Sequence, residues 1–392
     1  MGILQNRQTN FIHFLIKLIN ILKNSKIAMN ESYNDFNIDS KKLILNIKYH
    51  KEVVFCLCVL DDGRLASCSR DCNIIIYNKI SFKPDLKIKA HKDIVKCIIK
   101  LDSNFLASCS NDKTIKIIKI ENNTFTILQS LNEHKNNINR IIELKNKQKN
   151  LVSCSDDKSV IIYSKKNNEY IKDYQLKTKA ICHSVTQIKE NEICYLEIYY
   201  NYYYDYQECN IYFFDLKNRN KKQTINKYNS SSAIFRTFNM ITKNLLIIGG
   251  KDEITIIDVN LYAVIKEINL YNCDWIFGFC MLNENMFITG GDYGIIRQWK
   301  IEGDNIKIIS KKQNAHESSK TVYALVKIGN GKIASCSSDN SIKIWWKSIS
   351  YKILFSYWCP QYIKGIIFWK VNLIFIYDLK YENCNYEIIY QK

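Results

Sequence analysis

Proline occurs only twice and glycine only 12 times in the 392 residues, which excludes collagen-like and linker-like chains. No apolar stretch approaches the roughly 20 residues that a membrane-spanning helix needs, so an integral membrane protein is not expected. There is no CxxC pair and no clustered histidine, so no ligand set for zinc is complete. Gly-rich phosphate loops, HExxH and EF-hand patterns are missing as well. The formal charge is +18, from 56 basic and 38 acidic residues, yet the lysines form no block of five or six. Lys, Asn, Ile and Tyr are abundant throughout, so the excess reads as compositional drift before it reads as a polyanion site. What is present is a large apolar complement, 47% with 12% aromatic, enough to bury a sizeable core and to exclude wholesale disorder. The 15 cysteines are scattered, odd in number and follow no secretory signal, which points to reduced thiols in a cytosolic protein.

The length fits two or three domains or one large repeat array, and a repeat is plain. Leu65-Ala66-Ser67-Cys68-Ser69-Arg70-Asp71 recurs as Leu106 to Asp112, as Leu151 to Asp157 and as Ile333 to Asp339. A large apolar residue, Tyr77, Ile118, Tyr163 or Trp345, follows each final Asp by six positions. A histidine, His50, His91, His134 or His316, precedes each copy. Weaker copies end at Phe214, Ile257 and Trp299. The large apolar positions therefore recur about every 45 residues, the length of a four-stranded blade. Within each unit, short Ile-, Val- and Tyr-rich runs alternate with turns such as Asp62-Gly63 and Asn330-Gly331, the pattern of strands and hairpins. Runs such as Ile74 to Tyr77 are apolar throughout, as in a sheet covered on both faces.

Over about residues 42–346 this pattern resembles the WD-repeat (Trp-Asp) β-propeller family. Departures from the family pattern are specific. Cys replaces the usual Gly of the Ser-Gly-Ser core, the Trp survives only at Trp299 and Trp345, and the following Asp only at Asp215 and Asp258. The fold implied is all-β, a propeller of seven four-stranded blades, with eight as the alternative. The pairing of residues 42–48 decides: with Ile342–Trp346 for seven, with Tyr386–Tyr390 for eight.

Four His/Ser/Asp sets repeat at one register: His50/Ser67/Asp71, His91/Ser108/Asp112, His134/Ser153/Asp157 and His316/Ser335/Asp339. A hydrolase needs one such set. The resemblance implies instead a structural hydrogen-bond network, with the turn Asp accepting from the His ring and turn amides and the Ser leading on to a ring such as Trp345. The repeated cysteines fall at one blade position, too far apart between blades to share a metal ion. In the family, one face carries the loops that bind the partner, and the residue before each turn Asp looks onto it. Arg70, Asn111, Asp156 and Ser338 are therefore partner-binding candidates. So are Tyr202 and Tyr203, in a tyrosine-rich segment, Tyr199 to Tyr206, which is expected either as a long loop on the same face or as an extension of its flanking strands.

Residues 1–27 contain an amphipathic helical pattern and 28–41 read as a polar linker, with Met29 an alternative start. Residues 347–392 are expected to form a last blade strand or a degenerate eighth blade. The function these features imply is a non-catalytic cytoplasmic scaffold, with nuclear residence the alternative, that binds other proteins through its loop face. It would use no cofactor, metal or small-molecule substrate and make no membrane contact through the N-terminal helix. The alternatives are an RNA- or ribosome-associated propeller using the basic charge, and a substrate receptor of a cullin-type ubiquitin ligase. The last rests on Phe214-Asp215-Leu216-Lys217, a near miss to that group's Trp-Asp-x-Arg motif.

Overall fold

The computed structural model describes residues 37–347 and the strands of 352–390, with short gaps at 103, 122, 202–205, 230–236, 251, 271–274, 304, 330, 358–362, 369–372 and 381–382. The expected helix at 1–27 and the linker as far as residue 36 lie outside the described residues.

Residues 41–347 form seven four-stranded antiparallel sheets, whose strands are called a to d from the inside outwards. Blade one comprises Val54–Val59, Leu65–Ser69, Ile74–Tyr77 and Pro84–Ile88. Blade two comprises Val95–Lys100, Phe105–Ser110, Ile115–Glu121 and Thr124–Leu131. Blade three follows with Ile138–Glu143, Leu151–Ser155, Ser159–Lys166 and Glu169–Lys177, and blade four with Ile181–Lys189, Glu192–Asn201, Tyr206–Asp215 and Asn220–Asn229. Thr237–Met240, Leu245–Gly249, Glu253–Asp258 and Ala263–Asn269 make blade five. Blade six is Ile276–Asn283, Met286–Gly291, Ile296–Glu302 and Asn305–Lys312. Blade seven takes its inner strands from Val322–Lys327, Ile333–Ser337 and Ile342–Lys347, and its strand d from the start of the chain, Lys41–Ile47.

That last pairing is the seven-blade outcome. Strand a of each blade touches strand a of the next, and strand a of blade seven touches that of blade one, so the ring is closed. Lys352–Tyr357 does not extend blade seven. It opens a separate meander with Ile363–Phe368, Leu373–Lys380 and Asn383–Tyr390.

The core lies in the seven seams between blades. Strand b shows why its residues are apolar on both sides. Leu65 packs toward blade seven with Ile342 and Ile344, whereas its neighbours Ala66 and Cys68 pack toward blade two with Ile98 and Leu106. Side chains alternate across a strand, and here both faces are covered, so all five residues of Leu65–Ser69 are buried. The outermost strands have only one covered face and are mostly exposed, as in Thr124–Leu131. The large apolar repeat positions share one register. Tyr77, Ile118, Tyr163, Phe214, Ile257, Trp299 and Trp345 stand opposite Leu65, Leu106, Leu151, Ile193, Leu246, Phe287 and Ile333.

Two details bear on the site. The described end of the expected linker is packed: Ile38 is fully buried beside Met286, Ile288 and Trp345, and its N–H donates to Gln298 Oε1 at 2.8 Å. The tyrosine-rich segment lengthens two strands, the second of its two expected forms. Tyr199 pairs with Glu208 and Asn201 with Tyr206, so a ladder runs where the other blades turn. Tyr202 and Tyr203 lie outside the described residues.

Candidate functional site

Each of the four full repeats folds its polar residues into one staple. His50 Nδ1 lies 2.9 Å from Asp71 Oδ2, and His50 Nε2 lies 2.7 Å from Ser67 Oγ. Blades two, three and seven repeat this, with Nδ1–Oδ2 separations of 2.9, 2.8 and 2.8 Å and Nε2–Oγ separations of 2.8, 2.7 and 2.7 Å. With an ionised Asp as acceptor, Nδ1 carries the hydrogen and Nε2 accepts from the serine hydroxyl. The same Oδ2 also accepts the N–H of the residue after the His, from Lys51 at 3.0 Å, Lys92 at 3.0 Å and Lys135 at 2.8 Å. The staple thus joins the loop before strand a, the turn between strands b and c, and the middle of strand b.

Residues that the sequence pattern does not single out complete it. Ser69, Ser110, Ser155 and Ser337 each accept the backbone N–H of their turn Asp, at 3.1, 3.0, 3.0 and 3.1 Å. Thr114, Ser159 and Ser341 donate their hydroxyls to Asp Oδ1 at 2.7, 2.6 and 2.6 Å. In blade one Asn73 stands there and gives its N–H to Asp71 Oδ1 at 3.1 Å. The signal was available: Ser or Thr recurs two residues after the turn Asp in three of the four copies. The residue between them adopts a left-handed backbone, with φ of 65° at Cys72, 70° at Lys113, 62° at Lys158 and 63° at Asn340. Of these only Asn340 is a residue type that readily accepts it.

The last link follows the residue on strand c. Trp345 Nε1 donates to Ser335 Oγ at 2.8 Å. The Tyr77 hydroxyl stands 3.1 Å from Ser67 Oγ, and Ile118 supplies only apolar bulk. Blade six keeps this link without the rest, Trp299 Nε1 donating to Thr289 Oγ1 at 2.9 Å. In blade four Tyr195 occupies the serine register and stacks on Tyr212 at 5.1 Å, while Glu197, in the second-serine register, accepts the Tyr199 hydroxyl at 2.7 Å. The Asp that follows the large apolar residue caps the next turn. Asp215 Oδ1 accepts from the Lys217 and Asn218 amides at 2.8 and 2.9 Å, and Asn78 does the same for Ile80 and Ser81 at 3.0 and 3.1 Å.

The polarity of each staple is that of a hydrolytic triad, but Ser67, Ser108, Ser153 and Ser335 are all 0% exposed. No substrate atom can approach those hydroxyls in this packing. Burial disfavours the charged carboxylates, but the ring and amide donors outweigh it and hold Asp71, Asp112 and Asp339 below the usual range, with Asp157 lowered to about 2. Burial also lowers His316, keeping it neutral against the pull of Asp339.

These shifts fix a pH dependence. A His whose folded pKa is lowered binds fewer protons folded than unfolded, so its contribution is complete above its ordinary 6.5 and falls as the pH drops below it. Asp157 adds a second loss as the pH falls from its ordinary 3.8 towards about 2. The thermal midpoint is therefore expected to hold between about pH 7 and 8.5, to decline below about 6.5 and again below about 4, and to fall above about 9, where unfolding lets thiols such as Cys194 and Cys336, raised by burial, ionise. Scanning calorimetry across that range checks this, and a midpoint that rises on acidification below about pH 7 contradicts it.

At the staple end of the ring the strands a open a second constellation. Six of them carry a β-bulge, at Phe55, Lys96, Asn139, His183, Phe277 and Tyr323. Bulges re-aim side chains, and all six line the central cavity of about 410 Å³. Phe55 and Phe277 each meet Tyr323 edge-on at 5.1 Å, and Lys96 Nζ sits 5.1 Å above the Phe55 ring. Arg140 Nη2 crosses to Asn239 Oδ1 at 3.0 Å. The four candidates before the turn Asp sit beside this mouth, because the backbone N–H groups of Arg70, Asn111, Asp156 and Ser338 bond the segment leading into strand a. Arg70 is exposed. Asp156 accepts from Asn139 and Asn137 at 2.7 and 3.2 Å, and Ser338 Oγ accepts the Thr321 N–H at 2.9 Å. The bulge residues had no sequence signal, since a bulge exists only in the pairing of two strands.

A closed seven-bladed ring in which four blades carry a His–Ser–Asp staple defines a WD-type β-propeller. The model of the WD domain, G-beta repeat (WD40), matches residues 41–78, 82–119, 125–164 and 308–345, and the chain belongs to this family. Each match begins in or just before a strand d and ends in or just after strand c of the following blade. Comparison with curated proteins gives no match. Propellers of this family generally bind other proteins.

Proposed function

We propose that this protein is a non-catalytic cytoplasmic scaffold that holds other proteins at the mouth of its central channel. The observation that carries the reading is the contrast around that mouth. The staples of four blades repeat almost atom for atom, whereas the residues that face the opening vary around the ring: Phe55 and Phe277 in blades one and six, but Lys96, Asn139, His183 and Tyr323 elsewhere, with Arg70, Asn111, Asp156 and Ser338 beside them. Rigid scaffolding under a varied rim is what partner selection requires. The inaccessible serines support the non-catalytic reading. The cysteines described stand as free thiols, which supports a reducing compartment.

Affinity capture from cells, comparing the parent chain with Arg70→Glu and Asp156→Lys, tests this. Both variants are expected to lose partners, Arg70→Glu with the parent's thermal midpoint and Asp156→Lys with a modestly lower one, since it removes the acceptor of Asn137 and Asn139; unchanged partners in both would remove this face from the function. The charge of +18 favours RNA as a second reading. It predicts capture that falls steeply with salt and resists both substitutions but not ribonuclease.

A further inference from the structure

The cavity enclosed by the seven strands a differs from the rest of the chain in its acids, not in its share of cations. It is lined by Lys96, Lys100, Arg140 and His183 and by the rings of Phe55, Phe277, Phe279 and Tyr323, and among the described residues no Asp or Glu lines it. In a chain with 38 acidic residues, a lining that carries Lys96 and Arg140 and, among the described residues, no carboxylate sets up a positive, low-dielectric well that concentrates anions. Lys100 is tied to Asp61 by an ion pair. Arg140 by contrast meets the neutral amide of Asn239, so its full charge is directed into the cavity. On the rim, Asp156 is held by the amides of Asn137 and Asn139.

We propose that the channel mouth binds an acidic peptide segment of a partner protein, with Arg140 and Lys96 holding its carboxylates and the aromatic wall holding an intervening apolar side chain. This rests on the scaffold reading and names the chemistry of its partner. Two observations favour a peptide over single-stranded RNA. The rings that would stack on bases already meet one another, Phe55 and Phe277 each edge-on to Tyr323, and Lys96 sits over the Phe55 face. And a space of about 410 Å³ accepts a few side chains, not a run of nucleotides.

The test uses the full chain and three labelled probes: a peptide of alternating Glu and Leu, the same peptide with Gln for Glu, and an oligouridine of equal charge. Fluorescence anisotropy should show the acidic peptide bound, and bound more tightly than either other probe. Arg140→Gln and Lys96→Gln should each weaken it about tenfold, as expected for one charge-assisted bond. Arg140→Lys should restore part of the loss, and Lys100→Gln should leave it unchanged. Equal losses in Lys100→Gln, or equal affinity for the Gln peptide, would overturn the proposal, and tighter binding of oligouridine would replace it with the RNA reading. If the peptide fails while Arg70→Glu still abolishes capture, the channel assignment is wrong and the scaffold reading stands.

Discussion

Asp339→Ala is expected to lower the unfolding free energy of the propeller by about 3–5 kcal/mol, the combined effect of several buried donors left without an acceptor. Asp339 is the most enclosed of the four turn carboxylates. It accepts from His316 Nδ1 at 2.8 Å, from the Ser341 amide at 3.0 Å, from the Ser341 hydroxyl at 2.6 Å and from the Glu317 amide at 3.4 Å. Removing it leaves those donors without an acceptor in a place where water enters poorly, and each orphan costs about 1–3 kcal/mol before relaxation. The blade matters as well, because blade seven closes the ring. Asp71→Ala should cost less, since Asp71 is less enclosed than Asp339 and relaxation can hydrate the orphaned donors. Urea unfolding of both variants separates the two, and a loss under about 1 kcal/mol for Asp339→Ala would show that the staple adds little to stability.

Trp299→Ala should be comparably severe, about 3–5 kcal/mol, for a different reason. Trp299 is fully buried, stacks on Phe287 at 5.7 Å with planes 5° apart, and gives its indole N–H to Thr289. Its blade has no histidine staple, so packing holds it. Trp299→Phe keeps the stack and loses only the hydrogen bond and some volume, and should cost about 1–2 kcal/mol. If the two substitutions prove equal by urea titration, the bond and not the ring is what blade six needs.

The staples were legible in the sequence because each is local, with His, Ser and Asp inside about 25 residues, and because four copies expose the register. The supporting Thr114, Ser159 and Ser341 are equally local but stand out less, because blade one has Asn73 in their place. Blade six could be read only in outline. Gly290 stands at the register of Cys68, and a Cβ there would lie 2.6 Å from Val322 Cγ1 of the next blade, a constraint no single repeat reveals. In blade four Glu208 precedes Phe214 by six residues, as Asp71 precedes Tyr77, but its strand continues where blade one turns, so equal spacing there does not mean an equal turn. The channel mouth was illegible altogether, because bulges and a shared cavity arise only when seven distant strands converge.

The strand that completes blade seven is made before every other strand of the ring. Lys41–Ile47 must wait for Ile342–Lys347, nearly three hundred residues later. At ribosomal speeds of about 5–20 residues per second, that strand spends on the order of 15–60 s without its neighbour. Leu43 and Ile44 are about half exposed even in the finished ring, so the waiting strand offers an unpaired and partly greasy edge throughout. Nascent chains of this protein should therefore depend on holding chaperones up to the emergence of the seventh blade, and shed them abruptly after it.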